Sequence, residues 1–394
     1  MRFKTMNIDN DILYIGVNDT AIRLFESQYP VSRGMSYNSY LIIDERIAVL
    51  DTVDRGFGEE WLEKLESALD DKSPDYLVVH HMEPDHSANI AVFLEKYPKA
   101  TVVSSAKAFA MMKSFFGTDY AHRRIVVGEG DSLPLGKHTL SFITAPMVHW
   151  PEVILSFDKV SGTLFSADAF GKFGTIPDPE GEEWAEEARR YYMGIVGKYG
   201  AQALALLNKA SPLAIKRICP LHGPVLSENL EYYLGLYNTW ASYEPEEQGV
   251  TVACASVYGN TMRAARELCD RLSESGVKAE LYDLCRCDQS YAVAAAFKNS
   301  ALVLASSTYN ADVFPPMREF IHKLNERGFK KRTVALIENG SWAPTAAKVM
   351  ANMLESAKEL RFTETRVRIN SAPNAETSAQ LAQMAKELSK AQKS

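Results

Sequence analysis

The chain of 394 residues has only five cysteines, no long apolar run and no excess of basic residues. Five irregularly spaced cysteines do not form a disulfide framework in a chain of this length, so we expect reduced thiols. No stretch approaches the roughly 20 apolar residues that span a bilayer, and the N-terminus lacks the basic start and apolar stretch of a secretion signal. These absences predict a cytoplasmic protein.

Several classes of ligand also lack support in the sequence. A formal net charge of −7 leaves no basic field for nucleic acid or anionic lipid. Cys285 and Cys287 form a C-x-C pair without a second pair, which argues against a four-sulfur metal site or an iron–sulfur module. There is no G-x-G-x-x-G after a strand and no G-x-x-x-x-G-K-[ST] motif. We therefore expect small molecules and soluble proteins as partners.

The hydrophobic pattern divides the chain into two parts. From Asp11 to about Val225, short apolar runs alternate with helix-period segments and predict stacked sheets flanked by helices. The segment EPEEQG, residues 244–249, has the composition of a linker. After it, five strand-like runs alternate with five helical segments, which predicts an open, doubly wound parallel sheet. We predict domains at 1–248 and 249–394. The five helices are predicted at 261–275, 289–298, 316–326, 343–358 and from about 376.

A group of metal-ligand residues follows the apolar run YLVV. The pattern H-x-E-x-D-H places four candidate ligands within six residues: His81, Glu83, Asp85 and His86. Such side chains crowded after a buried strand lose hydration and repel one another unless a cation compensates them. Three more candidates each follow another apolar run: His149, Asp168 and His222. Any single one is compatible with an isolated polar group, but the seven together predict a metal site.

These positions resemble the metallo-β-lactamase fold over roughly residues 1–225. Hydrolases of that superfamily carry H-x-H-x-D-H, whereas this chain has Glu83 in place of their second histidine. The resemblance implies two metal positions, each with two imidazoles and one carboxylate, and Asp168 as the bridge. The sets are His81, His149 and Glu83 for one position, and His86, His222 and Asp85 for the other. Two histidines and one carboxylate with open positions suit non-haem iron better than zinc. His80 is expected to be a neighbour of the site, not a ligand.

Three polar loops at predicted strand ends form a second constellation. Its residues are Ser256, Tyr258, Gly259, Asn260 and Thr261; then Ser307, Thr308, Tyr309 and Asn310; then Asn339, Gly340, Ser341 and Trp342. Hydroxyls and backbone N–H groups at a helix N-terminus form an anion pocket that suits a monophosphate. Aromatic side chains in such loops can stack on a flat ring. The YGNT sequence alone is compatible with an ordinary turn, but the three loops together predict an FMN site.

H-x-E-x-D-H joined to a domain with YGNT, STYN and NGSW resembles the flavodiiron proteins over essentially the whole chain. The resemblance implies an α/β fold class: an αββα metallo-β-lactamase-like sandwich followed by a flavodoxin-like five-stranded parallel sheet. It implies FMN, two non-haem irons per chain, and no catalytic residues beyond the metal ligands. The implied reaction is reduction of dioxygen to water, of nitric oxide to nitrous oxide, or of both. The implied partners are a separate electron donor, rubredoxin or a reductase, and a second copy in a head-to-tail homodimer or a dimer of dimers.

Two alternatives remain open from the sequence. One is a two-zinc hydrolase of the lactamase superfamily with an appended flavodoxin, against which Glu83 argues. The other is an electron carrier or redox-sensing flavoprotein whose lactamase domain is vestigial, against which the seven intact ligand positions argue. Metal analysis discriminates the first alternative, and turnover with oxygen or nitric oxide discriminates the second.

Overall fold

A computed structural model of the chain describes residues 6–177 and 183–392. The chain forms two compact units, the first extending to residue 192 and including 201–238, the second comprising 193–200 and the chain from 239 onward. The sequence-based division at residue 248 differs from this split, which assigns residues 193–200 and 239–248 to the second unit. That division stays a proposal. No helix among the described residues is long and apolar enough to cross a membrane.

The first unit is built from short strands joined by helices. The strands are β1 (Met6–Asn7), β2 (Ile12–Tyr14), β3 (Val17–Asp19), β4 (Leu24–Phe25), β5 (Tyr29–Pro30), β6 (Met35–Tyr37), β7 (Tyr40–Ile42), β8 (Ala48–Leu50), β9 (Tyr76–Val78), β10 (Thr101–Ser104), β11 (Arg124–Val126), β12 (Ser132–Pro134), β13 (Thr139–Thr144), β14 (Ile154–Asp158), β15 (Thr163–Phe165) and β16 (Arg217–Cys219). The helices in this part of the chain are α1 (Gly58–Leu69), α2 (Pro84–Ser87), α3 (Ile90–Lys96), α4 (Ala106–Phe116), α5 (Trp184–Ile195), α6 (Gly200–Ala210) and α7 (Leu230–Ala241).

Two sheets face each other across one apolar core. One sheet has the strand order β1-β2-β7-β8-β9-β10-β11, and the other runs β12-β13-β14-β15-β16. Tyr40 and Val78 of the first sheet lie in the same buried cluster as Phe142 and Phe165 of the second. The rings of Tyr40 and Phe165 are 5.4 Å apart, within the range of favourable aromatic contacts. The predicted sandwich is confirmed.

The strand directions bring the loops after several strands to one edge. β14 runs antiparallel to both β13 and β15, and β16 runs parallel to β15. The carboxyl ends of β13, β15 and β16 therefore lie at the same edge, and the following loops carry His149, Asp168 and His222. The chain after β9 reaches this edge too, because the Ile154 N–H at the start of β14 donates to the His80 carbonyl at 3.1 Å.

The second unit has a single parallel sheet with helices between its strands. Its elements are β17 (Glu247–Ala255), α8 (Asn260–Glu274), β18 (Ala279–Asp283), α9 (Gln289–Lys298), β19 (Asn299–Tyr309), β20 (Asp312–Val313), α10 (Pro315–Glu326), β21 (Thr333–Asn339), α11 (Ala346–Met353), β22 (Arg361–Ile369) and α12 (Ala375–Ala391). The parallel strands follow the order β18-β17-β19-β21-β22, with β20 paired antiparallel to β19. The predicted doubly wound five-stranded sheet is confirmed.

Two details of the second half differ from the sequence predictions. Helix α11 begins at Ala346, not 343, and ends at Met353, not 358. Pro344 disfavours helical backbone at Ala343, which has a φ of +44°, and Thr345, with a φ of −129°, precedes the helix as its N-cap. Strand β17 begins at Glu247, inside the segment predicted as a linker, because Glu247 still pairs with Asn299.

Candidate metal centre and flavin site

The first group of ligand atoms comes from three different loops. Nε2 of His149 lies 3.0 Å from Oε2 of Glu83 and 3.0 Å from Oδ2 of Asp168. Nε2 of His81 lies 3.3 Å from the same Glu83 oxygen and 3.4 Å from the same Asp168 oxygen. One ligand atom from each of these four residues can therefore reach a common point. Ligands about 2.1 Å from one metal ion stand roughly 3 Å apart, which matches this spacing.

A second group lies beside the first. Nε2 of His86 and Nε2 of His222 are 3.0 Å apart. Oδ2 of Asp85 lies 3.4 Å from the former and 3.3 Å from the latter. These three side chains are buried and can hold a second ion. The structure thus places the seven residues singled out in the sequence into the two predicted sets.

Asp168 stands between the two groups. Its Oδ2 faces His81 and His149, while its Oδ1 lies 3.4 Å from His86 Nε2 and 3.8 Å from His222 Nε2. The residue is 1% exposed and follows β15. One carboxylate therefore presents a separate oxygen to each group, which is the geometry of a bridging ligand.

The polar atoms of the site fit metal ions better than they fit one another. Among the described residues, both carboxylate oxygens of Asp85 and Oδ1 of Asp168 are buried without a hydrogen-bond donor. The Nδ1–H of His222 donates to the Ser36 carbonyl at 2.7 Å, which leaves Nε2 as the ring nitrogen that faces His86, at 3.0 Å. Buried carboxylates without donors and imidazole lone pairs aimed at one point are costly unless a cation joins them.

The charges of the two groups shift the pKa values of their members. Burial alone would lower the pKa of His149, but Asp168 and Glu83 outweigh it and raise that pKa to about 9. Burial is likewise outweighed at His81, whose pKa is raised by Asp168, Glu152 and Glu83. Burial would raise the pKa of Asp168, yet the surrounding histidines hold it well below its ordinary value. Protons and metal ions therefore compete for the same imidazole nitrogens, and metal binding releases protons.

Sequence reasoning missed the carboxylate that holds His81. Oε1 of Glu152 lies 2.8 Å from His81 Nδ1 and also accepts from the Met82 N–H at 2.9 Å. Glu152 is 2% exposed and lies three residues after His149. An acid at that spacing in HWPE was the available signal. His80, predicted as a neighbour, uses both ring nitrogens elsewhere, with Asp51 at 2.5 Å and Ser156 at 2.7 Å.

Aromatic side chains that the sequence did not single out surround the second group. The rings of Phe25, Tyr191 and Tyr37 lie 5.4, 5.5 and 5.9 Å from the His222 ring. The Tyr191 hydroxyl is buried and has no hydrogen-bond partner among the described residues. Burial, and then the charge of Asp168, raise the pKa of Tyr191 well above its ordinary value, so it stays a neutral donor.

An acid from another loop approaches the first group. Desolvation of its carboxyl group, and then the nearby charge of Glu83, raise the pKa of Glu26 to about 7. Nothing in the sequence marked Glu26, because it lies far from every ligand along the chain and has no motif around it.

In the second unit, the first flavin loop connects β17 to α8. Gly259 precedes the helix with a φ of +90°, a conformation that favours glycine, and its N–H donates to Ser256 Oγ at 3.1 Å. Thr261 is 1% exposed, with its hydroxyl 3.1 Å from Ser307 Oγ and accepting from Asn339 Nδ2 at 3.3 Å. Residues of α8, β19 and β21 thus meet at the N-terminus of a 15-residue helix, where an anion is stabilised.

The second predicted loop lies partly in a strand, because Ser307, Thr308 and Tyr309 are the last residues of β19, which lies next to β17, and Asn339 ends β21 on the other side of β19. Ser307 pairs with Asn339 across β19 and β21, and the hydroxyl of Ser341 accepts from Ser371 at 2.8 Å. Thr308 has an additional structural role, since its Oγ1 accepts from the N–H groups of Thr345 and Ala346 at the start of α11. Its predicted flavin contact stays a prediction.

Exposed aromatic side chains surround this edge of the sheet. Tyr258 is 94% exposed, Trp342 83% and Tyr309 45%. Large, exposed aromatic groups at a polar strand edge fit a flat ring that would cover them. Together with the hydroxyl cluster at the start of α8, they fit a ring carrying one phosphate. Asn310 directly follows Tyr309, and Gly340 lies two residues before Trp342.

Two family models match this chain. Residues 35–223 match the ODP family beta lactamase, and residues 252–383 match the flavodoxin family. The fold and the site therefore define a two-domain flavoprotein with a metal-binding lactamase-like domain.

Curated relatives extend over both domains. A diflavin flavoprotein A of Synechocystis is 33% identical over 68% of this chain, which spans about half of that relative, 48% of its length. An uncharacterised protein of Methanocaldococcus jannaschii is 30% identical over 82% of both chains. A nitric oxide reductase of Moorella thermoacetica is 29% identical over 89% of this chain and 90% of its own.

Solved structures show the same architecture. The rubredoxin oxygen:oxidoreductase of Desulfovibrio gigas superposes with a TM-score of 0.91 at 24% identity, covering 99% of both chains. The flavodiiron protein of Giardia intestinalis gives 0.91 at 25% identity, covering 99% of this chain and 97% of its own. The chain belongs to the flavodiiron protein family. Membership of this family implies FMN and a non-haem di-iron centre as the cofactors.

Proposed function

We propose that this chain reduces dioxygen to water, nitric oxide to nitrous oxide, or both, at a di-iron centre that receives its electrons from FMN. The observation that carries the proposal is Asp168, whose two oxygens each face one of two adjacent histidine–carboxylate groups. The names of the Moorella thermoacetica and Desulfovibrio gigas proteins, a nitric oxide reductase and a rubredoxin oxygen:oxidoreductase, support this reaction class.

The seven predicted ligands have distinct tasks in this proposal. His81, Glu83 and His149 would hold one iron, His86, His222 and Asp85 the other, and Asp168 would bridge them. When bound, the irons supply electrons and open coordination positions to the substrate, and FMN restores the electrons. The nearby rings of Phe25, Tyr37 and Tyr191 exclude bulk water from the second position.

Reduction of either gas also consumes protons, and two side chains are placed to handle them. The buried Tyr191 hydroxyl has no other partner among the described residues and can donate a hydrogen bond to a bound substrate. Glu26, an exposed residue whose carboxyl group lies near Glu83, can take a proton from solvent and pass it to that side of the site. These groups act beside the metal ligands and do not replace them.

The proposal includes the FMN contacts, the partners and the location. The phosphate would bind at Ser256, Asn260 and Thr261, and the ring would stack on Trp342 or Tyr258. A separate rubredoxin or reductase would supply electrons, and two chains would pair head to tail. A cytoplasmic location fits the five unpaired cysteines among the described residues.

The test measures gas consumption by the purified protein, reduced anaerobically through its flavin. We expect about two irons per chain and consumption of oxygen or nitric oxide. Asp168→Ala should retain the flavin spectrum and lose at least about 100-fold in turnover. This is more than the loss typical of substitutions at residues that only hydrogen-bond the metal ligands. Full activity in zinc-loaded, iron-free protein, or unchanged turnover in Asp168→Ala, would contradict the proposal.

A further inference from the structure

The two metal positions differ in what lies behind their histidines. His81, at the first position, has a carboxylate at its other ring nitrogen, because Glu152 Oε1 lies 2.8 Å from its Nδ1. His222, at the second, donates its Nδ1–H to a neutral backbone carbonyl, that of Ser36, at 2.7 Å. Nδ1 of His86 has no partner among the described residues. A negative charge therefore supports one position and not the other.

Glu152 is held firmly enough to fix the orientation of His81. Its Oε1 also accepts from the Met82 N–H at 2.9 Å, and its side chain is fully buried. Its own carbonyl accepts from Ser105 Oγ at 2.8 Å, at the start of α4. The loop is closed by the Ala145 N–H, which donates to the Val153 carbonyl at 2.9 Å. One loop thus delivers a ligand, His149, and supports another, His81.

We infer that Glu152 is a positioning residue that makes the two irons unequal. A carboxylate at Nδ1 fixes the ring orientation, leaves the Nε2 lone pair for the metal and makes the imidazole a stronger ligand. Its negative charge also favours the ferric over the ferrous ion. The first position therefore holds iron more tightly and at a lower potential than the second. The inference rests on the proposed di-iron site.

The main experiment follows iron release from the anaerobically reduced holoenzyme to a ferrous chelator. Wild type should release iron in two phases, and Asp85→Asn identifies the fast one because it weakens the second position. In Glu152→Gln, which keeps the side-chain shape and an acceptor for Met82, the slow phase should accelerate about 10–100-fold. The fast phase should stay at the wild-type rate. Glu152→Asp keeps the negative charge, so its slow-phase release rate should lie between those of wild type and Glu152→Gln.

A redox titration followed by electron paramagnetic resonance gives a readout that looser packing alone would not move. The two one-electron midpoint potentials of the iron pair should lie closer together in Glu152→Gln. Each tenfold loss of ferric preference at the first position shifts its potential by about 59 mV. The potential of the second iron should not change.

Asp158→Asn is the matched control. Asp158 is a buried carboxylate whose Oδ2 lies 2.8 Å from His138 Nδ1, the same distance as between Glu152 Oε1 and His81 Nδ1. It lies at the end of β14 that is far from the metal ligands. Its loss should leave both release phases and both potentials as in wild type.

The outcomes separate the inference from the proposed function. Two irons per chain with unchanged release and potentials in Glu152→Gln would overturn the inference and leave the proposed function standing. The inference would also be overturned if both release phases accelerated equally in Glu152→Gln and did so in Asp158→Asn as well. A general loosening of the packing would then explain the faster release. If Glu152→Gln fails to fold, Glu152→Asp decides by the same criteria. Absence of iron from the wild-type protein would overturn the proposed function and this inference together.

Discussion

His80 and His81 are adjacent in the sequence, yet their side chains have opposite surroundings. Both residues follow β9, which ends at Val78, and the chain bends at His80, so the two side chains face different surroundings. His80 turns into the sandwich, where Asp51 and Ser156 contact its two nitrogens. His81 faces Glu83 and Asp168. The path of the chain just after β9 therefore decides which imidazole is available to a metal.

His138, a buried histidine away from the metal ligands, should make the stability of the protein depend on pH. Burial alone would lower the pKa of His138, but hydrogen bonds with Asp158 and Asp11 outweigh it and raise that pKa above its ordinary value. Because the folded-state pKa is raised, the contribution is fully present below the unfolded-state value of about 6.5 and is lost as pH rises through the folded-state pKa. The pKa of Asp158 is lowered instead, so its contribution is lost as the pH falls through that lowered folded-state value.

His138→Gln should therefore destabilise the protein most between about pH 5 and 6.5. We expect a loss of roughly 1–3 kcal/mol there, as for hydrogen bonds to charged groups, and a smaller loss at alkaline pH. Urea unfolding of wild type and variant across pH 5–9 measures the difference. A loss that is the same at every pH would show that packing, and not the charge of His138, accounts for the effect.

At the scale of elements, the start of α8 combines a turn, a helix terminus and a hydroxyl cluster. Thr261 belongs to the first turn of this helix, and its hydroxyl meets Ser307 and Asn339 from the two neighbouring strands. Thr261→Ala should weaken FMN binding by roughly 1–3 kcal/mol, because one hydrogen bond to a charged phosphate is lost. Fluorescence titration of the apoprotein with FMN measures the affinity. An unchanged dissociation constant would remove Thr261 from the proposed phosphate site.

The start of α11 depends on a residue from another element. Thr308 Oγ1 accepts from two backbone N–H groups there. The side chain of Thr345, the N-cap residue of the helix, makes no capping hydrogen bond. Thr308→Ala should cost about 0.5–2 kcal/mol of stability, the usual effect of losing a helix cap. Thermal unfolding of the flavin-free protein measures this without a contribution from FMN. Stability equal to wild type would mean that water satisfies these N–H groups equally well.

At the scale of the whole molecule, the proposed head-to-tail dimer would pass electrons between chains. The test co-expresses two inactive variants, one with Asp168→Ala and His149→Ala, the other with Asn260→Ala and Thr261→Ala. With random pairing, half of the dimers are mixed and each has one working relay of two, so activity should approach roughly a quarter of wild type.

Transfer within one chain would give a different result. Each mixed dimer would then contain only broken relays, and co-expression would restore no activity. Differently tagged variants purified in tandem confirm that mixed dimers are present. An inactive mixed dimer would overturn transfer between chains and leave the iron and FMN proposals in place.

The sequence by itself determined the two-part organisation, the two fold classes and the seven candidate ligands. These features follow from local patterns. Short apolar runs predict strands, and charged side chains crowded after a buried strand need a compensating cation in any tertiary fold. Only the tertiary structure decided that Glu152 supports His81, that Tyr191 and Glu26 approach the ligand groups, and that Thr308 caps α11. Such contacts join segments far apart along the chain or turn on side-chain direction. They depend on how the sheets pack, which no local pattern records.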